Sequence, residues 1–365
     1  MTRIPLGMIG GGQGAFIGAV HRIAARLDDR FELVAGALSS TPERARASAE
    51  AIGLPRSYDD WAEMARAEAA RPDGIRAVAI VTPNHLHFGP ARAFLQAGIH
   101  VICDKPMTAT LAEAEELARI AAQAEAMFFL THTYSGYPML RAARRLVAEG
   151  VIGSVRVVNV EYVQDWLVDQ ATGKQAEWRV DPSRSGAGAI GDIGTHAAHL
   201  ARYVSGLPIT QVSADLQSLV AGRAVDDNCH VLLRMGATAR GMLWVSQVTP
   251  GFENHLRLRL GGSLGGLDWC HDRPDELRLT PVGEPSRILT RGGPQFSGPR
   301  RVPAGHPEGF LEAFGTIYTD VAEAILSCVR GTEVPGISDG LDGMRFVTAC
   351  LRSSADDGRW TGLAS

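Results

Sequence analysis

The run HVICDKPMT, residues 100–108, sets one lysine between an acid and a proline directly after an apolar stretch. Pro106 removes backbone freedom at that point, so Lys105 is presented from a fixed position. A second constellation is GDIGTH, residues 191–196. If 192–205 is helical, Asp192, His196, His199 and Tyr203 share one face, while Ile193, Ala197, Leu200 and Val204 share another. The polar face can line a cleft while the apolar one holds the helix. An imidazole with a near-neutral ordinary pKa is a natural general base. Asp192 would orient it or bind a substrate hydroxyl. Partial burial of Lys105 would lower its pKa and suit it to proton exchange with a substrate oxygen. The bland alternative is a lysine that caps a strand and pairs with Asp104.

Such groups need a frame, and the first part of the chain alternates strand and helix signals. Ile4–Ile9, Phe31–Ala37, Ile75–Val81, Ile99–Cys103 and Met127–Thr131 are short apolar runs of the kind buried in a parallel sheet. Helical stretches separate them, among them residues 15–27 and 111–126, and Pro42 stands after Thr41 as at a helix start. Repeated βα units imply a doubly wound parallel sheet, an α/β Rossmann domain over residues 1–135, with ligands at the carboxyl ends of its strands. Residues 136–365 read as an α+β domain for substrate binding and oligomerisation. Strand candidates at 155–163, 211–220, 228–235, 239–248, 255–260 and 266–270 follow one another and imply a large, mostly antiparallel sheet. Residues 281–309, rich in Pro, Gly and Arg, read as loop, and helices are expected at 310–330 and 339–354.

The segment GMIGGGQGAFIGAVH, residues 7–21, follows a strand and opens a helix, the context a dinucleotide fingerprint requires. Gly10 allows the tight turn and Gly12 lets backbone N–H groups approach a pyrophosphate at the helix N-terminus. Gln13, Ala15, Phe16 and Ile17 complete the candidate loop. Strict spacing makes Ala15 the third position, whereas Gly18, in Gly18-x-x-His21, suggests a longer loop. The second strand ends without an acid before Glu43; Ser39, Ser40 and Arg44 are placed to hold an NADP 2′-phosphate or to bond the ribose directly.

Four motifs in order, GMIGGG at 7–12, TPNHLH at 82–87, DKP at 104–106 and GDIGTH at 191–196, resemble the Gfo/Idh/MocA family of sugar and polyol dehydrogenases over essentially the whole chain. Within that family the nearest likeness is to inositol and aldose dehydrogenases, including an L-glucose/scyllo-inositol type. The resemblance implies that Lys105 is catalytic and that Asp192 and His196 complete the site. It also implies that Thr82, Pro83, Asn84 and His87 lie near the nicotinamide ribose, with Asp104 and Lys105 close to the cofactor, and that the Lys105–Pro106 bond is cis. Asp104 stands where the family has Glu, and His199 where many members have a second Asp.

Oxidising an alcohol requires a hydride acceptor, which is the cofactor's part, and a base with a donor for the oxygen, which His196 and Lys105 would supply. Asp165-Trp166 and Trp178-Arg179 pair an aromatic with a charge, a combination suited to a sugar face and its hydroxyls, or equally to surface packing. Tyr134 is a substrate candidate or a core residue, and His306 a substrate contact or a solvated histidine.

Composition narrows the rest. The 365 residues are 45% hydrophobic and 21% charged, with net charge −4, which gives no footprint for nucleic acid or anionic membrane. Five cysteines without a paired framework imply a cytoplasmic setting. No apolar run approaches the ~18 residues of a membrane span, and the N-terminus does not read as a secretion signal. The histidines lack zinc spacing with cysteines, so no metal is expected. The expectation is an NAD- or NADP-dependent oxidoreductase acting on a cyclic polyol or sugar, dimeric or tetrameric through the second sheet. An NAD-dependent glycosidase using transient oxidation and a non-enzymatic dinucleotide-sensing regulator are the alternatives.

Overall fold

The computed structural model describes residues 3–169, 177–294, 296 and 301–363. The chain forms two compact units, Met1–Gly136 with Phe310–Leu341, and Tyr137–Gly309 with Asp342–Ser365.

In the first unit the apolar runs become six strands: β1 (Ile4–Gly10), β2 (Phe31–Ala37), β3 (Arg56–Ser57), β4 (Ala77–Val81), β5 (His100–Cys103) and β6 (Phe128–Leu130). They pair in parallel in the order β3-β2-β1-β4-β5-β6. β4 is buried at every residue, as a strand covered on both faces must be. The connecting helices are α1 (Phe16–Leu27), α2 (Pro42–Ala51), α3 (Trp61–Ala69), α4 (Phe88–Gln96) and α5 (Leu111–Gln123). A capping box starts α5: the Thr110 hydroxyl accepts the Glu113 N–H and the Glu113 carboxylate accepts the Thr110 N–H. That box ends the DKP loop at a defined place.

The sequence assigns everything after residue 135 to the second domain, but Phe310–Leu341 groups with the first. The helix Phe310–Ser327 carries Phe314, Ile317, Tyr318, Val321 and Ile325 on one side, and these join Ile4, Leu6, Met8, Val20, Ala24 and Phe31 in a single core. Beyond it the chain lies along β6, where Phe129 and Gly336 form an antiparallel bridge and the Leu130 N–H donates to the Pro335 carbonyl. The edge of the parallel sheet is thereby covered.

The strands of the second unit include β7 (Val155–Val163), β8 (Ile209–Gln217), β9 (Asn228–Met235), β10 (Ala239–Ser246), β11 (His255–Gly262) and β12 (Gly265–Cys270). With β13 at Glu276–Pro281, β14 at Arg287–Thr290 and β15 at Thr361–Gly362, the second unit holds a nine-stranded sheet of order β14-β13-β12-β11-β7-β10-β9-β8-β15. All neighbours are antiparallel except β7 and β10, which run parallel. Burial alternates along β9, β10, β11 and β12, so one face is packed and the other open. β13 (Glu276–Pro281) and β14 (Arg287–Thr290) form a further edge hairpin. The sequence reading passed over β13 and gave 281–309 as loop. Leu277 and Leu279 are the buried apolar residues of this hairpin, whereas Ile288 is exposed, and Pro, Gly and Arg around them mask the alternation.

Candidate functional site

The dinucleotide side is built at the carboxyl ends of β1, β4 and β5. Gly10 and Gly11 have φ of 77° and 71°, a conformation that favours glycine. A Cβ on Gly12 would lie 2.6 Å from the Leu38 carbonyl oxygen and 2.7 Å from the Ser48 hydroxyl. A Cβ on Gly18 would lie 2.3 Å from Gly11 Cα. Gly18 is therefore the third glycine of the loop, the one that lets α1 approach the turn; Ala15 is the helix N-cap in extended conformation and gives no side-chain cap. Gly12 N–H donates to the Leu38 carbonyl and Gln13 N–H to the Ser48 hydroxyl, while the Arg22 guanidinium, 2.6 Å away, binds the Gly11 carbonyl. Phe16 is 65% exposed and Ile17 half-buried. After β2, Ser39 is half-buried and Ser40 and Arg44 are exposed.

The turn after β4 carries Thr82, Pro83 and Asn84. His87 is fully buried, and its two ring nitrogens lie 2.8 Å from the carbonyl oxygens of Thr82 and Pro106. It thus ties the β4 turn to the DKP loop, a positional role. The Lys105–Pro106 bond is cis. Asp104 accepts a hydrogen bond from the Thr131 hydroxyl at 2.8 Å, and His21 Nε2 is 3.9 Å from its Oδ1. Burial alone would raise the Asp104 pKa, but His21, Lys105 and the Thr131 hydroxyl outweigh it and hold the carboxyl far below its ordinary range. On the other side of His21, Nδ1 is 2.9 Å from the Tyr318 hydroxyl, whose pKa burial and the Asp104 charge push up. Asp104 is thus an ionised anchor beside half-buried Lys105. The shorter side chain in place of Glu is bridged by a network reaching α1 and the helix Phe310–Ser327. Tyr134, in the turn Thr133–Gly136, is buried at 3% exposure.

The second unit supplies a separate polar cluster. Asp192 lies in the π-helical stretch Ile190–Gly194, which runs into the helix Thr195–Ser205; such wide turns concentrate at functional sites. Asp226 fixes its start, one carboxylate oxygen accepting the Gly188 N–H and the other the Ile190 N–H at 2.8 and 2.7 Å. The Asp192 carboxylate accepts from Gln247 Nε2 at 2.9 Å and faces Arg179 Nε at 3.3 Å. The Arg179 guanidinium lies 4.4 Å over the Trp178 ring and 5.7 Å from that of Trp166. Gln164 accepts from Trp166 Nε1 and from Gln247, and donates to Asn254. His196 is 8% exposed and 6.1 Å from the Tyr162 ring. His199 stacks on Tyr203, and the Arg144 guanidinium lies 4.4 Å over the tyrosine ring. Burial, with the positive charges of Arg202 and Arg144 nearby, drives the His199 pKa well below its usual value, so His199 is a neutral packing residue.

The candidates Asp192, Trp166, Trp178 and Arg179 thus form one network. Asp165 is half-buried and contributes its carbonyl to the turn at Val168. His306 stays outside, exposed in a loop whose carbonyl Arg291 binds. The sequence reading missed Gly11, His21, Thr131, Gln164, Asp226, Gln247 and Asn254. Of these only Gly11 and His21 stood inside a quoted motif.

Residues 4–132 match the oxidoreductase family with NAD-binding Rossmann fold, and residues 140–268 match the GFO/IDH/MocA C-terminal domain. The chain is similar to the crystal structure of an oxidoreductase from Sinorhizobium meliloti, with 52% identity, 99% of each chain covered and a TM-score of 0.91. It is also similar to an inositol dehydrogenase homolog from Azotobacter vinelandii, at 34% identity. The NAD+ complex of that homolog covers 99% of this chain and 97% of the other with a TM-score of 0.95; the complex with NADH and myo-inositol covers 99% and 98% with a TM-score of 0.90. Levoglucosan dehydrogenase of Pseudarthrobacter phenanthrenivorans is 30% identical over 76% of each chain. The chain belongs to the Gfo/Idh/MocA oxidoreductase family.

The residues of this family member fit a dinucleotide. The Gly10–Gly12 turn leaves no room for side chains, the helix behind it lacks a side-chain cap, and the Thr82 hydroxyl is a buried group beside Gly10 with no hydrogen-bond partner among the described residues. Gly10, Gly12, Gln13 and the first turn of α1 would take the pyrophosphate.

Proposed function

We propose that this protein is an NAD(P)-dependent dehydrogenase that oxidises a secondary alcohol or lactol carbon of a cyclic polyol or sugar, with Lys105, Asp192 and His196 at the reacting carbon. The observation that carries this reading is the network around Asp192. It combines an acid, amides and a guanidinium with two indoles, a surface that offers hydrogen bonds to ring hydroxyls and apolar faces to ring C–H groups. The names of the inositol and levoglucosan relatives support the same substrate class.

Bound nicotinamide supplies the hydride acceptor. The Lys105 ammonium donates to the reacting oxygen, and Asp104, fixed by Thr131 and His21, holds the lysine's approach. His196 takes the hydroxyl proton. Asp192, oriented by Gln247 and Arg179, accepts from a neighbouring hydroxyl and favours the imidazolium that forms. Trp166 and Trp178 pack on the ring. Ser39, Ser40 and Arg44 hold the adenosine ribose or its 2′-phosphate. The open face of the large sheet, with Val157, Leu232, Met242 and Ile288 exposed, joins copies into a dimer or tetramer.

The test is a panel of inositols and aldoses assayed for NAD+ and NADP+ reduction, beside Lys105→Ala and His196→Ala. Loss of a proton-transfer group is expected to lower kcat by about 10²–10⁴-fold. Unchanged turnover in a variant overturns the role given to that residue. Hydrolysis of an aryl glycoside with no net nicotinamide reduction would replace the dehydrogenase reading with the glycosidase one.

A further inference from the structure

The open face of the second sheet, the face proposed above to join copies, carries at its β11–β12 end a group of side chains that take no part in the proposed hydride transfer. β11 and β12 are antiparallel with Arg257 opposite Cys270, so His255 and Asp272 fall opposite each other just beyond that pair. Alternation puts Cys270 and Asp272 on the open face and His271 on the packed one, where its ring meets the Tyr137 hydroxyl at 2.9 Å. His255 Nδ1 is 3.0 Å from Asp272 Oδ2 and 3.9 Å from Cys270 Sγ, and the three donor atoms all lie within 4.8 Å of one another.

The geometry excludes one reading of a Cys, His and Asp set. In a nucleophilic relay the acid orients one ring nitrogen while the thiol faces the other. Here both groups approach Nδ1. Three donors converging on one point is the arrangement a cation requires. Zinc–sulfur bonds of about 2.3 Å and zinc–nitrogen and zinc–oxygen bonds of about 2.0 Å, in a tetrahedron, put nitrogen and oxygen about 3.3 Å apart and sulfur and nitrogen about 3.5 Å apart. The observed 3.0 and 3.9 Å differ from these by about 0.3 and about 0.4 Å, within side-chain adjustment.

We propose that His255, Cys270 and Asp272 form a zinc-class metal site, with Nδ1, Sγ and a carboxylate oxygen as three ligands and the fourth position open. The donor set of thiolate, imidazole and carboxylate suits Zn²⁺ or Co²⁺ rather than Mg²⁺ or Ca²⁺. The open position faces a cavity of about 330 Å³ that Arg257, Arg273, Glu276 and Arg278 also line. Arg257 makes a bidentate pair with Asp268, and Arg273 lies 3.6 Å from Glu276, so two of the three arginine charges are offset locally. The Phe252 ring, 5.2 Å from that of His255, backs the imidazole. Binding releases the Cys270 thiol proton to solvent. Linear spacing gave no hint of the site, because strand pairing brings His255 to the pair Cys270 and Asp272.

The test uses untagged full-length protein freed of metal by a chelator and then dialysed. Calorimetry with Zn²⁺ is expected to give one ion per chain, and Co²⁺ to give a thiolate-to-metal charge-transfer band in the near ultraviolet. Cys270→Ser should abolish that band, and His255→Gln or Asp272→Asn should weaken Zn²⁺ binding at least about 10-fold. Circular dichroism and thermal unfolding of each variant separate lost ligation from lost folding. Absence of stoichiometric binding in the parent protein, or an unchanged Co²⁺ spectrum in folded Cys270→Ser, overturns the proposal. Neither readout depends on dehydrogenase activity.

Discussion

Gly18→Ala tests how the glycine loop works. Strict spacing makes residue 15 the third position of the fingerprint, and it already carries a methyl group. The structure makes Gly18 the position of closest approach. An added Cβ there would stand 2.3 Å from Gly11 Cα and 2.5 Å from the Gly11 carbonyl oxygen, against 3.4 Å or more in ordinary contact. Both atoms belong to backbone, so no side chain can rotate away. The start of α1 must retreat from the turn by about 1 Å, the difference between those distances. Overpacking of this kind costs about 1–3 kcal/mol. If the distortion reaches the Gly12 and Gln13 amides, it becomes a fall of about 5- to 150-fold in dinucleotide affinity, at 1.36 kcal/mol per tenfold. A domain of this size loses about 2–4 °C in Tm per kcal/mol. The assays are fluorescence titration with NADH and NADPH and thermal unfolding without cofactor. Ala15→Gly is the control, since Ala15 is the N-cap of α1 and already carries a methyl group. A Gly18→Ala protein whose cofactor Kd and Tm match the parent would refute the close-approach argument, and a large loss in Ala15→Gly alone would return the third position to residue 15.

Two further predictions concern pH. Glu68 is buried and receives Arg56 at 2.7 and 2.8 Å, the Tyr58 hydroxyl at 2.7 Å and the Ile75 N–H at 3.0 Å. Burial opposes ionisation, but these donors hold its carboxyl below the ordinary value. Its stabilisation is therefore complete above the unfolded pKa near 4.3 and is lost as pH falls toward the folded one. Glu68→Gln should cost about 1.5–3 kcal/mol at pH 7 and flatten urea-unfolding stability between pH 5 and 3; an unchanged acid slope would refute the assignment. His199 behaves in the opposite chemical sense with the same pH direction. Its folded pKa is depressed, so the unfolded chain takes up a proton first as pH drops below about 6.5, and stability falls by up to about 1.4 kcal/mol per pH unit. Unfolding at pH 7.5 and 5.5 should show a smaller difference in His199→Gln than in the parent, and equal differences would refute it.

The parallel sheet was legible because strands covered on both faces must be continuous apolar runs, and β4 and β5 are visible in that way without any partner. The glycine turn and the DKP loop were legible for the same reason: they stand where such runs stop. The helix Phe310–Ser327 was legible as a helix, but an apolar face does not name the sheet it covers, and only packing of Phe314, Ile317 and Tyr318 with β1 and α1 residues assigns it. The polar network around Asp192 was half visible. Charged and aromatic residues stand out in a sequence, whereas Gln164, Gln247 and Asn254 have no spacing that marks them. They meet because β7 and β10 run side by side with Val163 opposite Ser246, after which the Gln164 N–H donates to the Ser246 carbonyl and the Thr249 N–H to the Gln164 carbonyl. A single parallel pairing inside an otherwise antiparallel sheet thus sets two amides beside one carboxylate. Amides can each donate and accept, so under the proposed function this pairing would decide which ring hydroxyls the Asp192 cluster satisfies. Specificity within the proposed substrate class is then encoded in strand register as much as in the motif residues themselves.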